Sequence, residues 1–389
     1  MHQSNNYKDN NGNSIIMRFL KKRQEMKIKK KYLLGLSIIL VFFIFSFSDC
    51  KGENKNEKQI AQQAARPTEN DKKAELESRE EIKPKEIVEE NEGKDLNEKE
   101  KLAGKEKEEY VFVEKWDEES IGEQISPGGI AIDSKGFIYI SDATNHFIYK
   151  FSPDGKLILK WGEKVKFLWG YGLTVDSNDF IYLSDPWGNK IYKYSSDGKL
   201  IKKWGEMGKE KGKLREPCGI AMDSNDFIYV TDRRNHRVQK FTTDGKFITM
   251  WEKGEGKEGK FRDPMGVAVD SKDFVYVADT WNHRIQKFTS DGEFITMWGK
   301  KGENVGEFLA TGAITVDSKD FVYVLDSNNH RIQKFTSDGK FITKWGKKGW
   351  REGGEFEHPR AIAVDSKGYV YISDLGNHRI QVFKKNRIL

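Results

Sequence analysis

Cysteine is nearly missing from this chain: Cys50 and Cys218 are the only two in 389 residues. Two thiols cannot build a four-cysteine zinc module, and with Cys50 in a targeting segment Cys218 has no partner for a disulfide. There is no nucleophile elbow, no phosphate-binding glycine loop and no acid/base pair that stands apart from the rest of the sequence. A one-signed charge excess is missing too. Residues 110–389 hold 44 Lys and Arg against 40 Asp and Glu, whereas a nucleic-acid footprint requires a clustered basic excess, so no nucleic-acid partner is expected. Residues 51–109 have hardly any aromatic side chains and carry Lys and Glu in alternating blocks. Such a tract cannot bury enough surface to offset its ordering entropy and reads as a solvated linker. The one long apolar run, residues 32–47, has 16 residues, short of the roughly 20 that a spanning helix needs.

That run is preceded by the basic stretch KIKKKY and followed by Ser48, Asp49 and Cys50, the layout of an export signal. Residues 1–50 are therefore read as a signal peptide or membrane anchor, with Met26 as the expected true start because MKIKKKYLLG opens a conventional short signal. Cys50 resembles the lipid-modified cysteine of bacterial lipoproteins, although Asp49 stands where a small residue is usual and Phe47 where Leu is usual. The resemblance implies lipidation at Cys50. An uncleaved anchor through residues 32–47 and simple secretion are the alternatives. The protein is expected to be exported and membrane-associated, in the periplasm or at the cell surface.

What the remainder has is repetition. Equivalent aspartates fall at Asp133, Asp176, Asp223, Asp270, Asp317 and Asp365, at spacings of 43, 47, 47, 47 and 48 residues. A period in the forties with four strand-like runs per copy predicts propeller blades. In the third copy, GIAMD is an innermost strand of small and apolar residues, and FIYVTD and RVQKF alternate with period two. TTDGK supplies an Asp-Gly hairpin whose positive φ angles suit strand twist, and FITMW is the outer strand. The sixth copy lacks this outer strand after Phe383, and YVFVEKW, Tyr110 to Trp116, appears ahead of the first. The prediction is an all-β fold over residues 110–389: a six-bladed, monomeric β-propeller closed by its N-terminal strand. One tryptophan per blade ends the outer strand: Trp116, Trp161, Trp204, Trp251, Trp298 and Trp345.

The stretches DRRNHRVQ, DTWNHRIQ, DSNNHRIQ and DLGNHRIQ resemble the NHL-repeat family of six-bladed propellers. The pattern thins in the first two blades, where Phe147 replaces Arg and DPWGNKIY reads as one residue longer with Lys190 in place of His. The family includes bacterial sensor and scaffold domains, RNA-binding regulators, ubiquitin-ligase receptors and a zinc-dependent lyase, so the resemblance implies architecture more than activity. Polar residues repeated in every blade, such as Asp232, Asn235 and His236, are read as satisfying local backbone groups. The Asp-Ser pairs, such as Asp270 and Ser271, are read the same way and not as calcium ligands.

Function is expected where the copies disagree. The turns after Asp142, Asp185, Asp232, Asp279, Asp326 and Asp374 share a face with the long loops between blades. Divergent residues on that face are Trp169, Tyr171, Trp187, Arg233, Arg234, Trp281 and Trp350, of the types enriched at binding hot spots. Gly128, Tyr171, Cys218, Met265, Gly312 and Arg360 should ring the central channel. This ring has no histidine, and His358 beside it with Cys218 makes a poor metal site, so no metal and no cofactor are expected. The reading is a non-catalytic binding module for a protein, peptide or glycan. The alternative is a hydrolase or lyase using Tyr171, Arg360 and His358 at the channel mouth.

Overall fold

The computed structural model describes residues 108–162, 171–252 and 259–386. The signal or anchor segment, residues 1–50 with Cys50, and nearly all of the 51–109 linker lie outside the described residues, as does Trp169. Among the described residues no helix is long and apolar enough to cross a membrane.

Six four-stranded antiparallel sheets form the blades. The third illustrates them all: Pro217–Met222 is innermost, then Ile228–Asp232, Arg237–Phe241 and, outermost, Phe247–Trp251. The innermost strands touch one another in order around the ring, and the last returns to the first. They can approach closely because their side chains are small. A Cβ on Gly219 would run into the Met265 carbonyl of the next blade.

The sixth blade consists of Pro359–Val364, Tyr369–Asp374 and Arg379–Lys385, with Tyr110–Trp116 as its fourth strand. This N-terminal strand pairs antiparallel from Tyr110 opposite Lys385 to Trp116 opposite Ile380, closing the ring as the sequence predicted. The closure also replaces what the sixth blade lacks. In blade 3 the hairpin glycine Gly245, at φ 75°, sits so close to the preceding blade's tryptophan that a Cβ would lie 2.5 Å from Trp204. No such hairpin exists in blade 6, and Tyr110 instead stacks on Trp345 with ring centroids 4.2 Å apart and planes 11° from parallel. Its hydroxyl lies 2.7 Å from that of Tyr323. Just before it, Glu108 accepts hydrogen bonds from Lys334 and Lys385, each at 2.7 Å.

The hairpins differ from the expected geometry. Gly155, Gly198, Gly245, Gly292 and Gly339 have positive φ, but the aspartates before them do not. A register shift follows, as between Lys240 and Phe241. A turn with a single left-handed glycine and a bulge puts the strained conformation only on the residue without a Cβ. The second blade also corrects the sequence reading: it has no extra residue. Asp185 pairs with Lys190 just as Asp232 pairs with Arg237, and Asn189, at φ 53°, takes the place of the left-handed histidine.

The repeated polar residues hold the loops between blades. Asp232, fully buried, accepts from Arg237 Nε at 2.7 Å, Asn235 Nδ2 at 2.8 Å, Gln239 Nε2 at 3.0 Å and the Arg215 backbone N–H at 2.6 Å. Arg237 then donates to the carbonyls of Lys209, Glu210 and Lys213. The same carboxylate–guanidinium pairing recurs at Asp279, Asp326 and Asp374. The histidines adopt left-handed φ between 51° and 62°. Several reach the next blade: His236 Nδ1 accepts from the Asp263 N–H, and His330 and His378 contact the carbonyls of Phe356 and Ile125. On the opposite end, Ser134, Ser177, Ser224 and Ser271 each donate to an aspartate of the following blade. Asp270 meanwhile takes up its own turn's N–H groups and the Tyr276 hydroxyl.

Candidate functional site

At the loop-bearing end, the residues after the inner-strand prolines or their equivalents converge on the channel. Gly128 presents no side chain, so Arg360 of blade 6 reaches past blade 1 to blade 2, where its Cζ lies 4.5 Å from the centre of the Tyr171 ring. Tyr171 then reaches toward blade 4, its hydroxyl 3.9 Å from Met265 Sδ. Cys218 of blade 3, also buried, donates its thiol to the Glu216 carbonyl at 3.5 Å. Arg360, Tyr171 and Met265 therefore touch in turn, Cys218 lies within electrostatic reach of Tyr171 and Arg360, and Gly128 and Gly312 contribute no side chain.

Beside these residues, on blades 3 and 4, lies a network of charges. Arg233 Nη1 and Arg234 Nε each donate to Glu216 Oε2 at 3.1 Å. Arg234 Nη1 donates to Asp263 Oδ2 at 3.3 Å, and Arg233 Nη2 stands 3.9 Å from the same oxygen. The two carboxylates occupy the same position, immediately before Pro217 and Pro264, and both have left-handed backbone, φ 52° and 47°. His358, before Pro359, shares it at φ 51°. Few non-glycine residues are held in this region without support from their surroundings.

Placement separates the candidates. Trp187 and Trp350 are 57% and 68% exposed, and Trp281 is partly exposed. Arg233, expected on the surface, is only 9% exposed. It and Arg234 belong to the charge network, so they shape the mouth as well as lining it. Glu216 and Asp263 were not picked out by the sequence reading. The signal for them was present: aligned across blades, the residue before the proline position reads Ser126, Trp169, Glu216, Asp263, Ala310 and His358.

The environment sets the charge states. Burial pushes the Cys218 thiol up to about 12 despite nearby Arg233, and the Tyr171 phenol up to about 12 despite Arg360. Both stay neutral near pH 7. Burial also lowers the pKa of Arg360, with the Tyr171 side chain opposing that shift. Burial outweighs the opposing Glu357 carboxylate, 3.2 Å away, and lowers the pKa of His358, favouring neutral imidazole. Among the described residues, no group of three or more His, Cys, Asp or Glu is placed to hold a metal ion.

Residues 214–241, 261–288, 312–335 and 356–383 match the family model described as the NHL repeat. These are the blades in which an arginine clamps the buried aspartate, and the unmatched first two have Phe147 and Lys190 instead. No curated protein matches the chain. Solved structures do, all at low identity. Virginiamycin B lyase from Staphylococcus aureus is 17% identical with a TM-score of 0.52, over 71% of this chain and 99% of that one. A gluconolactonase from Xanthomonas campestris is 15% identical with a TM-score of 0.52, over 68% and 87%. A protein of unknown function from Bacteroides thetaiotaomicron is 16% identical with a TM-score of 0.57, over 72% and 76%. At such identities the likeness extends to the fold alone. The closed ring and the four repeat matches together make the described residues a six-bladed β-propeller whose last four blades each match the NHL repeat.

Proposed function

We propose that the propeller is a non-catalytic binding module that takes a protein, peptide or glycan on its loop-bearing face. Export and membrane tethering through a lipid on Cys50, or through residues 32–47, are part of the proposal. The observation that carries it is the chemistry of the mouth. Its phenol and thiol are buried and neutral, and Arg233 and Arg234 are ion-paired with Glu216 and Asp263. A nucleophile or general base should instead have a pKa matched to its task. Around this mouth, Trp187 and Trp350 offer large exposed aromatic surfaces, of the kind that anchors partners.

The test is capture of a partner from the native envelope by the intact chain. Trp187→Ala and Trp350→Ala should weaken capture. Loss of a central aromatic anchor typically costs on the order of 2 kcal/mol, roughly thirtyfold in affinity. Asp244→Ala, at the opposite end, should not. Equal losses at both ends would reject the face.

A second reading draws on the lyase and lactonase named among the structural neighbours. In it, Arg360 stabilises developing negative charge and His358 acts as base. Turnover of gluconolactone or virginiamycin B by the purified chain, abolished by both Arg360→Gln and His358→Gln, would favour this reading over the first.

A further inference from the structure

We propose that the channel mouth recognises a carboxylate on its ligand, with Arg360 as the principal contact and the Tyr171 ring as its platform. This rests on the mouth face being the ligand face, and adds the chemical class that the face selects.

Three observations support it. The first is the charge of the mouth layer. Taking each blade's four residues up to and including the channel-ring residue, and the two after its buried aspartate, the arginines are Arg215, Arg233, Arg234, Arg262 and Arg360. The acids are Glu216, Asp263 and Glu357. The layer is therefore positive by two charges within a propeller whose total is nearly balanced, and a low-dielectric concavity of one sign concentrates ions of the other.

The second is position. Arg360 is the only charged residue of the six in the channel ring, is partly accessible, and lies over an aromatic face. Stacking engages the face of a guanidinium, whereas carboxylate recognition uses its planar fork of N–H donors. Tyr171 holds Arg360 at the centre of the ring by its ring face and by a side-chain hydrogen bond, which leaves further donors of the five-donor fork for a ligand.

The third is selectivity between anions. Glu216 and Asp263 are fixed next to the layer and repel incoming negative charge, more strongly when two charges sit on one phosphate than when each carboxylate of a ligand such as succinate carries one. The mouth also shows which anion suits its guanidiniums, since Arg233 and Arg234 already hold carboxylates there.

The experiment is isothermal titration of the full chain, in detergent, with sodium succinate, inorganic phosphate and sodium chloride at matched ionic strength. Succinate should bind saturably, phosphate more weakly and chloride not at all. Arg360→Gln should weaken succinate at least about tenfold, the loss expected for one charge-assisted hydrogen-bonding partner. Tyr171→Phe, which keeps the platform, should bind nearly as the unaltered chain does. Arg351→Gln on the exposed rim should change nothing, and melting curves of each variant establish folding. Succinate indistinguishable from chloride, phosphate binding tighter than succinate, or equal binding by folded Arg360→Gln would each overturn the proposal. These readouts use no partner. A mouth that captures a partner but ignores succinate keeps the binding face and loses the carboxylate assignment.

Discussion

Tyr110→Ala tests the closure of the ring at its most localised point. Tyr110 is 9% exposed, stacks on Trp345 at 4.2 Å and meets Tyr323 edge-on at 6.1 Å. Truncating a buried aromatic to alanine costs about 3–5 kcal/mol, through lost transfer energy and the cavity left behind. A domain of this size shifts by roughly 2–3 °C per kcal/mol, so the melting temperature should fall by on the order of 10 °C. Tyr110→Phe keeps the stack and removes the hydroxyl's hydrogen bonds with Tyr323 and with Lys334, which keeps Glu108 as a partner. The Tyr323 hydroxyl retains Asp317 at 2.9 Å, so this change should cost about 1 kcal/mol. Val113 on the same strand is 46% exposed, and Val113→Ala should stay within about 0.5 kcal/mol. The assay is thermal unfolding of the intact chain, followed by near-ultraviolet circular dichroism, which reports the packing of Trp345. If Tyr110→Ala melted with Val113→Ala, the N-terminal strand would not be what closes the ring.

Three further outcomes are expected. Burial opposes ionisation of Glu108, but Lys334 and Lys385 outweigh it and hold the carboxyl below its ordinary value. This contribution to stability is present above the unfolded-state pKa and lost as pH falls through the lower folded-state value, so the stability difference between the unaltered chain and Glu108→Gln should shrink on acidification below about pH 4.3. A constant difference down to pH 2 would contradict it. Gly245→Ala meets both a positive φ and Trp204, whereas Gly368→Ala meets a positive φ with nothing within 4 Å; denaturant titration should show the first as clearly more damaging, with the second costing about 1 kcal/mol. In cells, Cys50→Ala should abolish labelling by a fatty-acid analogue and Cys218→Ala should preserve it, while unlabelled parent protein would remove the lipoprotein proposal.

The architecture was legible because every blade repeats the same physical solution. Six copies of a buried aspartate, an outer tryptophan and small inner-strand residues leave few folds that could satisfy them all, and the missing outer strand of the sixth copy pointed to Tyr110–Trp116. The channel ring followed from register, so Tyr171, Cys218, Met265 and Arg360 could be grouped from residues that are 47 to 189 positions apart. What could not be read was pairing. Glu216, Asp263 and Glu108 look like ordinary charges in polar loops, and only the fold brings Arg233, Arg234 and Lys334 to them. The burial of Arg233 is hidden for the same reason: a charged turn residue is solvated unless a neighbouring blade covers it. In the second blade, Asn189 replaces the left-handed histidine and disguises the repeat, and only the register of Asp185 with Lys190 shows that its turn has the same length as the others.

The most direct test of the binding face is photo-crosslinking in living cells. With a benzophenone amino acid at position 187 on the mouth face, and separately at position 244 on the opposite end, irradiation should give a discrete adduct from position 187 and none from position 244. An adduct confined to position 244 would place the interaction on the wrong end of the propeller and contradict the account.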